Sequence, residues 1–201
     1  MAKLYFYYGP MGCSKTANAL MTRFNYLEKG RNIWLIKPSV DIRDGEDIIK
    51  SRIGISATAY IVKPEDNILD LLDKVNDRFC VYGEVTDPDV VIADEAQFFT
   101  TEQIDQLRDI ATYRNIPVMC YGLRTDFQTK LFPGSQRLME LADEISELKS
   151  ICQCGTKAIV NARFENGKII TAGDQVDIGG DEKYEALCWS CYQEKLKEAK
   201  N

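Results

Sequence analysis

Gly9-Pro10-Met11-Gly12-Cys13-Ser14-Lys15-Thr16 follows the apolar run Leu4-Tyr5-Phe6-Tyr7-Tyr8 and precedes Ala17, Leu20, Met21, Phe24 and Leu27, which recur at helical spacing. A strand, a glycine-bearing loop and a helix form the setting of a phosphate-binding loop. In such a loop successive backbone N–H groups cradle phosphate oxygens, a lysine neutralises them and a hydroxyl joins the magnesium shell. The positive end of the helix dipole faces the same place. Gly9, Lys15 and Thr16 stand where the pattern G-x-x-x-x-G-K-[S/T] needs them, and Ser14 replaces its second glycine. Directly before the lysine the chain is expected to enter the first helical turn with negative φ, where a Cβ costs little and serine keeps the N–H that phosphate needs. The plain alternative is a strand-turn-helix junction punctuated by Gly and Pro and followed by a chance Lys-Thr. The loop alone leaves that open.

Outward from the loop, Gly30 closes the first helix and residues 32–37 supply a second buried strand, so that strand, helix and strand make a right-handed crossover. Residues 38–56 are charged and glycine-bearing and read as a long loop near the strand ends. Tyr60–Val62 reads as a short strand, and Ile68, Leu69, Leu71, Leu72 and Val75 mark a helix. Val90–Ala93 is the most apolar strand of the chain. Thr100 with Gln103 forms a capping box opening a helix to about Tyr113, and residues 117–123 give another strand. Strands alternating with helices predict an α/β fold whose mostly parallel sheet is flanked by helices on both faces. From about Ser150 the pattern changes to short β-like runs, Ala158-Ile159-Val160 and Lys168–Ile170, with a terminal helix over 192–200. The boundary falls near Lys149, giving units 1–149 and 150–201.

The 201 residues suffice for one ordinary domain with a small appendage, and 45% hydrophobic with 28% charged residues places the chain in the globular class. Nothing resembles an 18-residue apolar span or a signal peptide, so a soluble cytoplasmic protein with no membrane partner is expected. The net charge of -6 argues against a nucleic-acid surface, which normally carries an excess of Lys and Arg. There is no histidine, and acid-base chemistry therefore falls to carboxylates.

An apolar strand that ends in Asp94-Glu95 is the Walker-B arrangement, carrying Asp94 to the carboxyl edge of the sheet beside the first loop. Asp94 suits the magnesium shell together with Thr16, and Glu95 is placed to accept a proton from an attacking hydroxyl. Alone, an Asp-Glu pair after a strand is usually a solvated strand end. Joined to the loop, it reads as chemistry. Four of the seven cysteines form two close pairs, Cys152/Cys154 and Cys188/Cys191, with residues 155–187 between them. Two such knuckles complete a tetrahedral four-thiolate zinc site, closed to substrate and therefore structural, with free or disulfide-paired thiols as the alternative.

Several stretches together resemble the thymidine kinases of the cellular, zinc-containing type. They are Ser51-Arg-Ile-Gly-Ile55, Asp94-Glu-Ala-Gln-Phe-Phe99, Tyr121-Gly-Leu-Arg-Thr-Asp-Phe127 through Phe132-Pro-Gly-Ser-Gln136, and Val176-Asp-Ile-Gly-Gly180 before Tyr184. The resemblance implies that Gly9, Pro10, Met11, Gly12, Cys13, Ser14, Lys15 and Thr16 bind ATP, and that Asp94, Glu95, Ala96 and Gln97 complete the nucleotide site. Glu95 would be the base that activates the nucleoside 5′-hydroxyl. Phe98, Leu123, Phe127, Phe132, Ile178, Gly179 and Tyr184 would line a thymidine or deoxyuridine pocket, under a lasso running from about Gly155 to Tyr184. Asp41 and Arg43 match the acidic-and-basic pair near the transferred phosphate, and Arg52 lies in the same loop. For the aromatics, core packing is the alternative to a pocket. Asn161 departs from the family pattern, standing where some members have threonine. The resemblance further implies ATP as phosphoryl donor, magnesium, structural zinc and a homotetramer. A P-loop ATPase with a partner-binding zinc ribbon and a catalytically silent nucleotide-binding regulator are the rival classes.

Overall fold

The computed structural model describes residues 1–42, 45, 47–76, 80–81, 84–85, 87–175 and 183–199. The central sheet is built from β1 (Leu4–Tyr8), β2 (Ile33–Pro38), β5 (Tyr60–Val62), β8 (Val90–Ala93), β9 (Val118–Gly122) and β10 (Glu144–Glu147), in the order β10-β1-β9-β8-β2-β5. Every pairing in it is parallel. The helices are α1 (Lys15–Glu28), α2 (Ile68–Asn76), α3 (Thr101–Tyr113), α4 (Pro133–Leu141) and α5 (Trp189–Glu198).

Alternation along the strands divides the core into two layers. Leu4, Phe6, Trp34, Ile36, Val91, Ala93, Val118 and Cys120 face Ile68 and Leu72 of α2, Ile104, Leu107 and Ile110 of α3 and Leu138 of α4. Leu35, Val90, Ile92 and Tyr121 face the other way, onto Ala19 and Leu20 of α1. Runs apolar at every position are what a sheet covered on both faces requires. The capping box of α3 is present in both halves: Gln103 N donates to Thr100 Oγ1 and Thr100 N to Gln103 Oε1. Such a cap contributes about 1 kcal/mol.

Three differences from the sequence-based expectation stand out. The segment 38–56 is not all loop, because β3 (Ile48–Lys50) pairs with β4 (Ser56–Thr58) as a hairpin. A second short hairpin joins β6 (Cys80–Val81) and β7 (Glu84–Val85). On α1 the apolar spacing marks a face that the sheet covers only in part. Ala17 and Leu20 are buried, but Met21, Phe24 and Leu27 remain 46%, 58% and 45% exposed.

After the central sheet come β11 (Val160–Glu165), β12 (Lys168–Ile170) and β13 (Tyr184–Leu187), an antiparallel sheet of order β12-β11-β13. Ala158, Val160, Ala162, Ile169, Leu187 and Tyr192 give it a hydrophobic cluster of its own. No helix among the described residues is long and apolar enough to cross a membrane.

Candidate active site

The loop 9–16 leaves the carboxyl end of β1 and turns directly into α1. Gly9 is obligatory by space: a Cβ there would lie 2.2 Å from the Leu148 carbonyl oxygen and 2.4 Å from Cys13 Sγ. Gly12 is left-handed at φ +76°. Ser14 is left-handed too, at φ 63° and ψ 29°, which corrects the expectation of a helical φ before Lys15. The physical reason is that Lys15 is the first helical residue, so Ser14 is the N-cap that must still turn the loop, and its side chain makes no capping bond. The Lys15 ammonium is buried against its own loop, donating to Pro10 O at 2.9 Å and Gly9 O at 3.2 Å.

The glycine-bearing loop and the end of β8 meet. At the end of β8, Asp94 accepts a hydrogen bond from the Thr16 hydroxyl and feels the charge of Lys15. Burial, reinforced by the neighbouring Glu95 carboxylate, nevertheless pushes the Asp94 carboxyl up to about 7. A hydroxyl and a desolvated carboxylate beside a second carboxylate are oxygen donors short of positive charge, which is the chemistry of a magnesium site. Glu95 is buried and left-handed, φ 49° and ψ 38°, and opens a 3₁₀ turn over Ala96–Phe98. That turn carries Gln97 beneath Leu123, whose N–H it accepts at 2.9 Å.

Beyond the 3₁₀ turn, Phe98 and Phe132 meet edge to face with centroids 5.5 Å apart. Phe127 is buried beneath the Arg163 guanidinium, 5.4 Å from its ring centre. Leu123, Phe98 and Tyr184 are half-buried. The loop that carries Phe127 is stiffened by Asp126, whose Oδ1 accepts from Gln128 N and Lys130 N while its Oδ2 accepts from Gln175 Nε2. Arg43, Ile178 and Gly179 lie outside the described residues. Asp41 is buried 3.9 Å from the Lys37 ammonium, and Lys37 is itself fixed by Gly45 O and Ile48 O. Arg52, at the turn of the β3-β4 hairpin, approaches the phosphate loop: a Cβ on Gly12 would lie 3.7 Å from its Nη1.

In the sequence Asn161 stands out only as a departure from a pattern. It is 4% exposed and joins the second sheet to the phosphate loop, as Met11 N donates to its Oδ1 at 2.7 Å. Its Nδ2 donates to Thr125 O at 3.2 Å. Asn161, Gly9, Pro10, Arg124 and Thr125 line the crevice between the two sheets. Asparagine before an alternating run is the signal, and it says only that a polar group is buried, not what it reaches.

The Sγ atoms of Cys152, Cys154, Cys188 and Cys191 lie within 4.8 Å of one another. At 3.6 Å, Cys154 and Cys188 are too far apart for a disulfide and close to the roughly 3.8 Å edge of a tetrahedron with 2.3 Å zinc-sulfur bonds. The Thr156 hydroxyl and N–H pull Cys154 down to about 6, whereas Cys191, facing the sulfurs of Cys188, Cys154 and Cys152, is pushed up. Four thiols that cannot all ionise without a dication fit zinc. Cys188 also caps α5, its Sγ accepting from Cys191 N.

A family model described as thymidine kinase matches residues 2–192. The chain is 47% identical over 189 residues to a thymidine kinase of Legionella pneumophila strain Philadelphia 1, an overlap of 94% of this chain and 88% of the relative. It is 43% identical over 197 residues to one from Zymomonas mobilis, covering 98% of each. Against one from Photorhabdus laumondii it is 41% identical over 201 residues, the whole of this chain and 96% of the other. With its phosphate loop joined to Asp94 and a family match along nearly its whole length, the chain belongs to the thymidine kinase family of phosphotransferases.

Proposed function

We propose that this protein transfers the γ-phosphoryl group of ATP to the 5′-hydroxyl of thymidine or deoxyuridine, yielding the nucleoside 5′-monophosphate and ADP. The observation that carries the reading is the Thr16–Asp94 hydrogen bond, which brings loop and strand end together and puts Glu95 one residue away. Glu95 takes the proton from the 5′-hydroxyl as the new O–P bond forms and the bond to the β-phosphate oxygen breaks. Lys15 and the loop N–H groups hold the phosphates, with Asp41 and Arg43 at the transferred group. Asp94, Glu95, Ala96 and Gln97 close the nucleotide site. Thr16 and Asp94 would hold magnesium, which spreads the charge of the phosphate chain when bound. Phe98, Leu123, Phe127, Phe132, Ile178, Gly179 and Tyr184 form the nucleoside pocket. The four cysteines would hold zinc as a structural ion.

The reading extends to organisation. Residues 1–149 act as the ATP-binding unit and 150–201 as the zinc-bearing lasso, in a cytoplasmic homotetramer. The exposed Met21, Phe24 and Leu27 of α1 support self-association, being apolar surface that a monomer would leave in water.

Purified protein with ATP, magnesium and a panel of nucleosides is the test. Thymidine should give its monophosphate in step with ADP. ATP turnover that is equal with and without nucleoside would replace the reading by an ATPase. Binding without turnover would replace it by a silent regulator.

A further inference from the structure

Gln97 is 1% exposed, and both ends of its amide are engaged inside the protein. Its Oε1 accepts the backbone N–H of Leu123 at 2.9 Å, and its Nε2 donates to Glu95 Oε2 at 2.5 Å. Chemistry fixes that orientation, because a backbone N–H only donates and a carboxylate only accepts. The end of β9 makes room for it. A Cβ on Gly122 would lie 2.8 Å from Gln97 Oε1 and 3.1 Å from Gln97 N, so any side chain there would expel the glutamine. Glu95 is meanwhile left-handed, a conformation that an L residue keeps only where its surroundings impose it. The base is therefore held from both sides, by a 3₁₀ turn through its backbone and by Gln97 through its carboxylate.

We infer that Gln97 is a positioning residue for phosphoryl transfer: it sets the plane of the Glu95 carboxylate and registers it against Leu123 on the nucleoside side. The inference rests on the proposed role of Glu95 as general base. Gln97's part in the nucleotide site is thus exerted through Glu95, since the hydrogen bonds made by the two ends of its amide go to Leu123 and Glu95. A base works only within hydrogen-bond reach of the proton it takes, and a displacement of about 1 Å costs on the order of a hundredfold.

Gln97→Met keeps the length of the side chain and removes donor and acceptor. It should lower kcat by roughly ten- to a hundredfold while KM for thymidine and for ATP stays within about threefold, since neither substrate loses a contact. The decisive measurement is the double-mutant cycle. In a Glu95→Gln background, Gln97→Met should cost less than about threefold more, because the group it aims is already gone. A merely structural role would multiply the two losses, and that result overturns the inference while leaving Glu95 as the base. Glu95→Gln within a fewfold of the parent would overturn the base and the inference together. If Gln97→Met does not fold, Gln97→Leu removes the same donor and acceptor without adding a charge beside Glu95. Carried through the same cycle, it supports the inference if the losses fail to multiply and overturns it if they do.

Discussion

The backbone N–H of Met11, in the middle of the phosphate loop, donates to Asn161 Oδ1 across 150 residues of sequence. The same side chain donates to Thr125 O, two residues before Phe127. One buried amide of the small sheet thus ties the loop 9–16 to the segment that leads to Phe127, the proposed donor and acceptor sides of the site. Asn161→Ala would strip a partner from each, at about 1–3 kcal/mol for a buried polar group left unpaired. The expected outcome is a rise of roughly tenfold in KM for ATP, measured by steady-state kinetics. A KM for ATP unchanged from the parent would show that this amide does not hold the loop.

The four-cysteine cluster, the proposed zinc site, should act on the loop through the same route. β13 ends at the knuckle of Cys188 and pairs with β11, which carries Asn161. Elemental analysis should find about one zinc per chain. Cys188→Ser should lower the zinc content and the melting temperature together and raise KM for ATP in the direction of Asn161→Ala. Near-zero zinc in metal-replete protein would rule out the structural site.

Glu95→Gln should leave thymidine binding intact and slow turnover by roughly 10²–10⁴, the usual contribution of a positioned general base. Binding by calorimetry and turnover by product formation separate the two effects. A loss confined to binding would mean that Glu95 shapes the pocket and that the proton leaves by another group.

The parts that could be read from sequence are those in which one residue type has one physical use. All-apolar runs declared β1, β2, β8 and β9, and the cysteine pairs declared the thiol cluster, because pattern and environment map one to one. The edge strand β10, Glu-Ile-Ser-Glu, has no such pattern, since an edge flanked on one side can be polar. Likewise α1 advertises an apolar face without saying what covers it. Asn161 and Gln97 were opaque for a different reason. A buried amide tells of partners, and their identities emerge only when distant segments close.

Asp143 offers a pH dependence with a definite sign. Its carboxylate accepts Leu4 N–H at 2.8 Å and pairs with Arg108, tying the start of β10 to β1 and α3. The Leu4 N–H first, then Arg108 and Lys3, hold its pKa below the ordinary aspartate range. A carboxyl depressed by folding stabilises at pH above its unfolded value, near 3.9, and loses that contribution as pH falls through the folded value. Asp143→Asn should therefore melt below the parent at pH 7, and the gap should close below about pH 4. A gap independent of pH would assign the effect to geometry alone.

Ser14 turns the phosphate loop in a conformation that its place before a helix did not predict, and its replacement tests what the left-handed turn does. At φ 63° a serine carries a steric cost of about 1–2 kcal/mol that glycine lacks, and its side chain returns no capping bond. Glycine loses roughly 0.5–1 kcal/mol of that advantage through the greater freedom of its unfolded chain. Ser14→Gly should consequently gain up to about 1 kcal/mol, seen as a rise of about 2–4 °C in melting temperature for a chain of this size. Catalysis should change little, because phosphate takes the N–H, which both residues have: kcat/KM for ATP should move by less than about tenfold, or 1.4 kcal/mol. A lower melting temperature would show that the hydroxyl has a partner that holds the loop. A hundredfold gain in kcat/KM would show that the natural loop binds phosphate poorly, and the regulator would then displace the kinase as the protein's function.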